Sequence, residues 1–128
     1  MKNKIKAVHE FHKAFGLGIQ NSPTAELETQ RNLLRYKLMR EENEEYLDAA
    51  NNKDLVEVAD ALGDMLYILC GTIIEHGMQH KIEEVFNEIQ KSNMSKLGAD
   101  GKPIFREDGK VLKGPNYFKP DIKSILNK

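Results

Sequence analysis

Two pairs of acids set at equal distances from one turn constrain this chain more than any other feature. Glu42 and Glu45 are three residues apart, and so are Glu57 and Asp60. On a helix, each pair projects from a single face. Positions 42 and 60 average to 51, as do 45 and 57, and Asn51-Asn52-Lys53 is a natural place for the chain to turn back. An antiparallel helical hairpin about that turn sets Glu42 level with Asp60 and Glu45 level with Glu57, roughly 9 to 14 Å from the turn at ~1.5 Å per residue. Four acids brought together without a basic partner repel one another. Hard divalent cations such as Mg²⁺ or Mn²⁺, which take oxygen ligands, are the usual remedy.

Glu-rich helices are ordinarily solvated faces, and Arg40-Glu41-Glu42-Asn43-Glu44-Glu45 alone would be read as one. The second segment argues otherwise. Asp60 and Asp64 stand inside Leu55 to Cys70, a stretch apolar on nearly every side, so its helix is expected to be largely buried. A buried carboxylate needs a metal, a donor or a proton.

A chain of 128 residues predicts one domain with a real core, here a helical core over 1–97 and a basic, turn-rich tail over 98–128. The formal charge of −1 provides no general attraction to a nucleic-acid polymer or an anionic membrane. No apolar run is long enough to span a bilayer, and no apolar segment of signal-peptide type follows Met1–Lys6. Cys70 is the single cysteine, so an internal disulfide is excluded and a cytoplasmic setting is expected. Its neighbours Ile68, Leu69 and Ile73 mark it as a small core residue. Acids dominate residues 41–60 and bases dominate 89–119. An acidic centre with a basic tail suits a metal plus a polyphosphate, although charge counts alone also fit an ordinary surface.

The pattern is mostly helical. The first helix spans 2–15, with Ile5, Val8, Phe11 and Phe15 as its inward stripe, and Gly16-Leu17-Gly18 stops it. Thr24 is expected to cap a second helix reaching about Ala50, with Leu27, Leu34, Leu38 and Leu47 inward. A third ends near His76-Gly77, where glycine suits a C-cap. A fourth runs from about Gln79 to Leu97, with Ile82, Val85, Phe86 and Ile89 facing inward. Beyond it, Asp100-Gly101 and Asp108-Gly109 are turn signals. Ile104-Phe105 and Val111-Leu112 flank the second, which leaves room for a small β-hairpin, and Pro120 opens a short last helix through Leu126.

Glu41-Glu42-x-x-Glu45 followed by Glu57-x-x-Asp60 resembles the signature of the all-α NTP pyrophosphohydrolases, a superfamily that includes MazG proteins, dimeric dUTPases and phosphoribosyl-ATP pyrophosphohydrolases. Arg31 through Gly77 follows its central helical hairpin. Ser92-Asn93-Met94-Ser95-Lys96 and Gly109-Lys110-Val111-Leu112-Lys113-Gly114-Pro115 are similar to a MazG-related subgroup, some members of which act on dUTP. The resemblance implies an all-α, four-helix MazG-like bundle with a C-terminal tail. It also implies Mg²⁺-dependent hydrolysis of a nucleoside triphosphate between the α- and β-phosphates, giving a nucleoside monophosphate and pyrophosphate, with Mn²⁺ as a substitute metal.

By motif position, Glu42, Glu45, Glu57 and Asp60 are the implied metal ligands. Glu41, with Glu42 and Glu45, belongs to the implied catalytic set. Glu41 points about 100° away from Glu42, which suits a water-orienting acid better than a direct ligand. Asp64, one turn beyond Asp60, suits a hydrated metal or an ordering role. Asn93, Lys96, Lys110 and Lys113 are the candidate phosphate-binding residues, and Arg106 is read as a surface base. Phe11, Phe15, Tyr67 and Tyr117 are read as core packing before base stacking. His9, His12, His76 and His80 are read as surface residues. The family's habit implies a homodimer or homotetramer. Two alternatives stay open: a phosphoribosyl-ATP pyrophosphohydrolase, and a non-catalytic helical interaction module. A di-iron carboxylate protein needs Glu-x-x-His motifs, and the sequence has none.

Overall fold

A computed structural model describes residues 1–128. The protein is all-α, with five helices and no sheet. It forms two compact units, Met1–His80 and Lys81–Lys128. No helix is long and apolar enough to cross a membrane.

The first unit holds α1 (Lys2–Phe15), α2 (Arg31–Asn51) and α3 (Leu55–Glu75). Gly16 takes a left-handed φ of 68° and returns its N–H to the His12 carbonyl, ending α1 as a glycine cap should. Thr24 does not start α2. Its hydroxyl instead accepts a hydrogen bond from the Glu26 N–H at 3.1 Å, a local turn that competes with helix, and α2 begins seven residues later.

The hairpin turn forms two residues later than the expected centre at Asn51, through residues 52–54. Lys53 adopts φ 55°, and the Asp54 side chain caps α3 by accepting from the Glu57 N–H at 3.2 Å. α2 and α3 therefore form a hairpin, and α1 packs on α3. Gly77, at φ 68°, follows the end of α3 and packs so closely on the Ser22 carbonyl that a Cβ there would overlap it.

Ile5, Val8, Ala49, Ala61, Cys70, Ile73 and Ile74 form the apolar core of this unit. Burial pushes the Cys70 thiol pKa up, consistent with a packing role. The expected burial of 55–70 occurs on one side only, at Ala61 and Cys70. Leu55 is 80% and Val56 75% exposed, and Leu62, Tyr67 and Leu69 are open as well. Leu34, Leu47, Phe11 and Phe15, all expected inside, are also exposed. α1 and α2 occupy only part of the circumference of α3, and burial follows that contact rather than hydropathy. His12 takes the inward position that the α1 stripe gave to Phe11.

The second unit holds α4 (Ile82–Met94) and α5 (Ile122–Leu126). Val85 and Ile125 are buried, while Phe86 and Ile89 face outward against expectation. The hairpin is present in its smallest form: one antiparallel bridge, Phe105 to Val111, turning through Gly109 at φ 88°. The tail is tied to the end of α4. The Ser92 hydroxyl donates to the Phe118 carbonyl at 2.8 Å, and the Phe118 N–H donates to the Ser95 hydroxyl at 3.1 Å. Asp121 caps α5 through the Ser124 N–H.

Candidate acidic site

The hairpin register makes the acidic site. α2 ends at Asn51 and α3 starts at Leu55, so the turn is centred on Lys53, two residues beyond the expected Asn51. The acids of the two helices therefore meet in a shifted register in which Glu42 feels Asp64 ahead of Asp60. Glu42 is half-buried, and its Oε2 has no hydrogen-bond partner. Its pKa is pushed up to about 7, first by desolvation, then by Glu45, then by the charges of Asp64 and Asp60. A carboxyl so placed is torn between losing its proton and facing three other acids. The Glu45 carboxyl can share a hydrogen bond with it only while one of the two holds a proton. Lower on the hairpin, Glu45 and Glu57 line one open cleft of about 330 Å³ with Asp48, Asn52 and Asp54. Glu42 thus lies within the field of Asp64 and Asp60, and Glu45 shares a cleft with Glu57, although the shifted turn does not set 42 level with 60 or 45 level with 57.

No base neutralises this cluster. The ion pairs on α2 and α3 lie elsewhere: Arg40 with Glu44 at 3.1 Å, and Arg31 and Arg35 with Glu75. Glu44 is thus an ordinary solvated partner of Arg40, and Glu41 is exposed without a partner in those pairs. Asp60 and Asp64 are exposed too, which corrects the inference from a buried helix. Their need for a counter-charge comes from mutual repulsion, not from an apolar surrounding.

The side chains as they stand bring no three His, Cys, Asp or Glu residues together closely enough to hold an ion. The donor set nonetheless fits a hard cation. It consists of carboxylate oxygens only, one of them orphaned, on opposing helices and with no competing base. Glu42, Glu45, Glu57 and Asp60 are the residues that would hold it, with Asp64 one turn away.

The remaining candidates belong to the second unit. Asn93 is exposed on the last turn of α4. Lys96 is half-buried just beyond it, and its carbonyl accepts from the Gly114 N–H at 2.8 Å. Lys110 sits in the Asp108-Gly109 turn, bonded through its backbone to Asp108. The Lys113 ammonium lies 4.7 Å from the Tyr117 ring centroid, a cation–π contact. Arg106 pairs with Asp108 and is exposed, as a surface base should be.

Hydropathy alone missed a polar core at the other end of the hairpin. Glu75, only 2% exposed, receives Arg31 Nε at 2.9 Å and faces Arg35 NH1 at 3.1 Å. Arg35 also donates to the Thr72 hydroxyl and the Ile68 carbonyl. Burial pulls the Arg35 pKa down, whereas the bond to Glu75 raises that of Arg31. His12, expected at the surface, is buried beside them with Nδ1 2.9 Å from the Gly18 carbonyl. Gly71 leaves the space: a Cβ there would meet both Arg35 and His12. The available signal was an acid directly after the apolar pair Ile73-Ile74, with two arginines four apart to match it.

Residues 8–93 match the family model described as phosphoribosyl-ATP pyrophosphohydrolase. The chain is similar to a crystal structure from Exiguobacterium sp. 255-15, a protein provisionally assigned as an NTP pyrophosphohydrolase. That comparison has a TM-score of 0.51 and 28% identity, covering 98% of this chain and 94% of the other. An uncharacterised protein of Acanthamoeba polyphaga mimivirus is 30% identical over 96% of this chain. The chain spans about half the length of that curated relative, 47%.

Proposed function

The chain belongs to the phosphoribosyl-ATP pyrophosphohydrolase family, within the MazG-like all-α NTP pyrophosphohydrolase superfamily, and from that membership we propose that it hydrolyses a nucleoside triphosphate between its α- and β-phosphates. The products are a nucleoside monophosphate and pyrophosphate. The observation that carries the proposal is Glu42: an orphaned, half-buried carboxyl pushed up to about 7 by desolvation first and then by the acids around it, with no ion-paired base. A site of this kind is built to receive positive charge.

Glu42, Glu45, Glu57 and Asp60 would hold Mg²⁺ or Mn²⁺, and Asp64 would orient its surroundings. When bound, such a cation supplies charge neutralisation for the phosphates and for the charge that develops on the leaving pyrophosphate. Glu41, exposed beside Glu42, is the acid free to orient the attacking water and take its proton. Asn93, Lys96, Lys110 and Lys113 are proposed to bind phosphate. The sequence carries no Gly-rich Walker segment, which argues against transfer of the γ-phosphate.

Two substrate classes follow. The likeness of 92–96 and 109–115 to a MazG-related subgroup favours a dUTP-type triphosphate, whereas the family model favours phosphoribosyl-ATP. Steady-state rates across dUTP, dCTP, dTTP, the ribonucleotides and phosphoribosyl-ATP separate them. Phosphorus NMR of the products tests the reaction itself: monophosphate plus pyrophosphate is expected, and diphosphate plus orthophosphate would refute the proposal. A second copy of the chain is the proposed cover for the open apolar positions of α2 and α3, giving a homodimer or homotetramer.

A further inference from the structure

Three aromatic side chains expected in the core instead form an exposed cluster. Phe11 and Phe15, one turn apart on α1, have ring centroids 4.4 Å apart, tilted by 34°. Tyr67 of α3 meets Phe11 edge-on at 5.6 Å and 86°. Phe15 is 68% exposed, and the other two rings are open to solvent as well. Packing is therefore only part of what these rings do, since each leaves a π-face or edge free.

Their place on α3 is specific. Asp60, Asp64 and Tyr67 stand at positions i, i+4 and i+7, so they follow one stripe of the helix. Tyr67 lies about 4.5 Å along the axis from Asp64 and about 10 Å from Asp60, at ~1.5 Å per residue. This interval is one that a sugar and its phosphate ester bridge. A nucleotide whose phosphates lie over the acids can thus lay its base against the rings without leaving the stripe.

From this register we infer that Phe11, Phe15 and Tyr67 form the stacking platform for the nucleobase of the substrate. The inference rests on the proposed triphosphate chemistry of the acidic site. Phe15 offers the open face, Tyr67 fixes the platform to the carboxylate stripe, and Phe11 joins the two. Stacking is tolerant of base identity because every base has a π-face, so the platform supplies affinity more than choice of base.

The test uses a probe with a base and a probe without one. The first is the α,β-methylene triphosphate of 2-aminopurine deoxyriboside with Mn²⁺, read by its fluorescence, which no tryptophan in the chain obscures. The second is inorganic tripolyphosphate with Mn²⁺, read by calorimetry. The parent should quench the base and bind the nucleotide roughly tenfold tighter than tripolyphosphate. Phe15→Leu and Tyr67→Leu should each lose the quenching and about tenfold in nucleotide affinity, with tripolyphosphate affinity unchanged. Tyr67→Phe should retain both. Circular dichroism and light scattering accompany each variant. Parent-like quenching in both leucine variants overturns the platform. So does a change of oligomeric state that accompanies the loss of binding, because the rings would then be a contact between copies. A parent that binds both probes equally overturns the platform and leaves the proposed hydrolysis standing, whereas a parent that binds neither overturns both.

Discussion

Replacing Glu42 with glutamine should stabilise the metal-free protein and abolish its response to metal. The Glu42 carboxyl is raised from an ordinary 4.5 to about 7. At ~1.36 kcal/mol per unit, the roughly 2.5 units would amount to ~3 kcal/mol. The side chain is only half-buried and the neighbouring Asp60 and Asp64 are exposed, so solvent screens much of this and ~1 kcal/mol is the working figure. The sign follows from linkage. The folded pKa lies above the unfolded one, so the contribution is fully present below about pH 4.5 and is lost as pH rises through about 7. Without metal, the parent should therefore lose about 1 kcal/mol between pH 5 and pH 8, a fall of roughly 4 °C in Tm. Glu42→Gln should lack that loss, matching the parent at pH 5 and melting higher at pH 8. Adding Mn²⁺ at pH 8 should restore the parent and do nothing for the variant. Thermal melts in EDTA and in Mn²⁺, at both pH values, supply the readings. Equal pH dependence of parent and variant in EDTA, or equal stabilisation of both by Mn²⁺, would show that the acids of the hairpin neither repel nor bind as argued.

Glu45→Gln and Asp60→Asn should each abolish Mn²⁺ binding in calorimetry with a non-hydrolysable triphosphate present, and unchanged binding in both would remove them from the ligand set. Glu75→Ala leaves Arg31 and the buried Arg35 unpaired, so urea unfolding should show a loss of about 3 kcal/mol, against less than 1 kcal/mol for Arg40→Ala, whose pair with Glu44 is exposed. Lys96→Met should raise KM for the triphosphate severalfold while the exposed Lys119→Met leaves it unchanged; equal values would take Lys96 out of phosphate binding. Val56→Glu, at a position 75% exposed in the single chain, should dissociate the protein to monomers in light scattering if a second copy covers that face, and an unchanged mass would locate the assembly elsewhere.

The elements whose causes are local were legible in the sequence. Helical periodicity with Gly16 at its end bounded α1, and Asn51-Asn52-Lys53 marked the break between α2 and α3. Gly77 closed α3, Asp108-Gly109 turned the tail, and Pro120 marked the approach to α5. The spacing of Glu42, Glu45, Glu57 and Asp60 marked them as acids that a helical hairpin brings together, but the turn falls at 52–54 and not about Asn51, so the register is shifted and Glu42 feels Asp64 ahead of Asp60. The start of α2 was not legible. Thr24 offers the same hydroxyl to a helix cap or to a local turn, and only the surrounding chain selects between them.

Ile5, Val8, Cys70 and Val85 are buried as expected, but much of the remaining burial was decided by tertiary structure. Hydropathy says that Leu55, Val56, Leu62, Phe11 and Phe15 resemble core residues, but it cannot say whether this chain has atoms to place against them. Here α1 and α2 reach only one side of α3, so those residues face outward while His12, Arg35 and Glu75 lie inside. The reason is geometric. A charged side chain is buried where a partner of opposite charge reaches it across the hairpin, and an apolar one is exposed where no neighbour arrives. Both facts concern pairs of residues tens of positions apart. The four acids were placed by local register, but the half-burial of Glu42, the exposure of Asp60 and the aromatic cluster beyond Asp64 depend on how three helices meet.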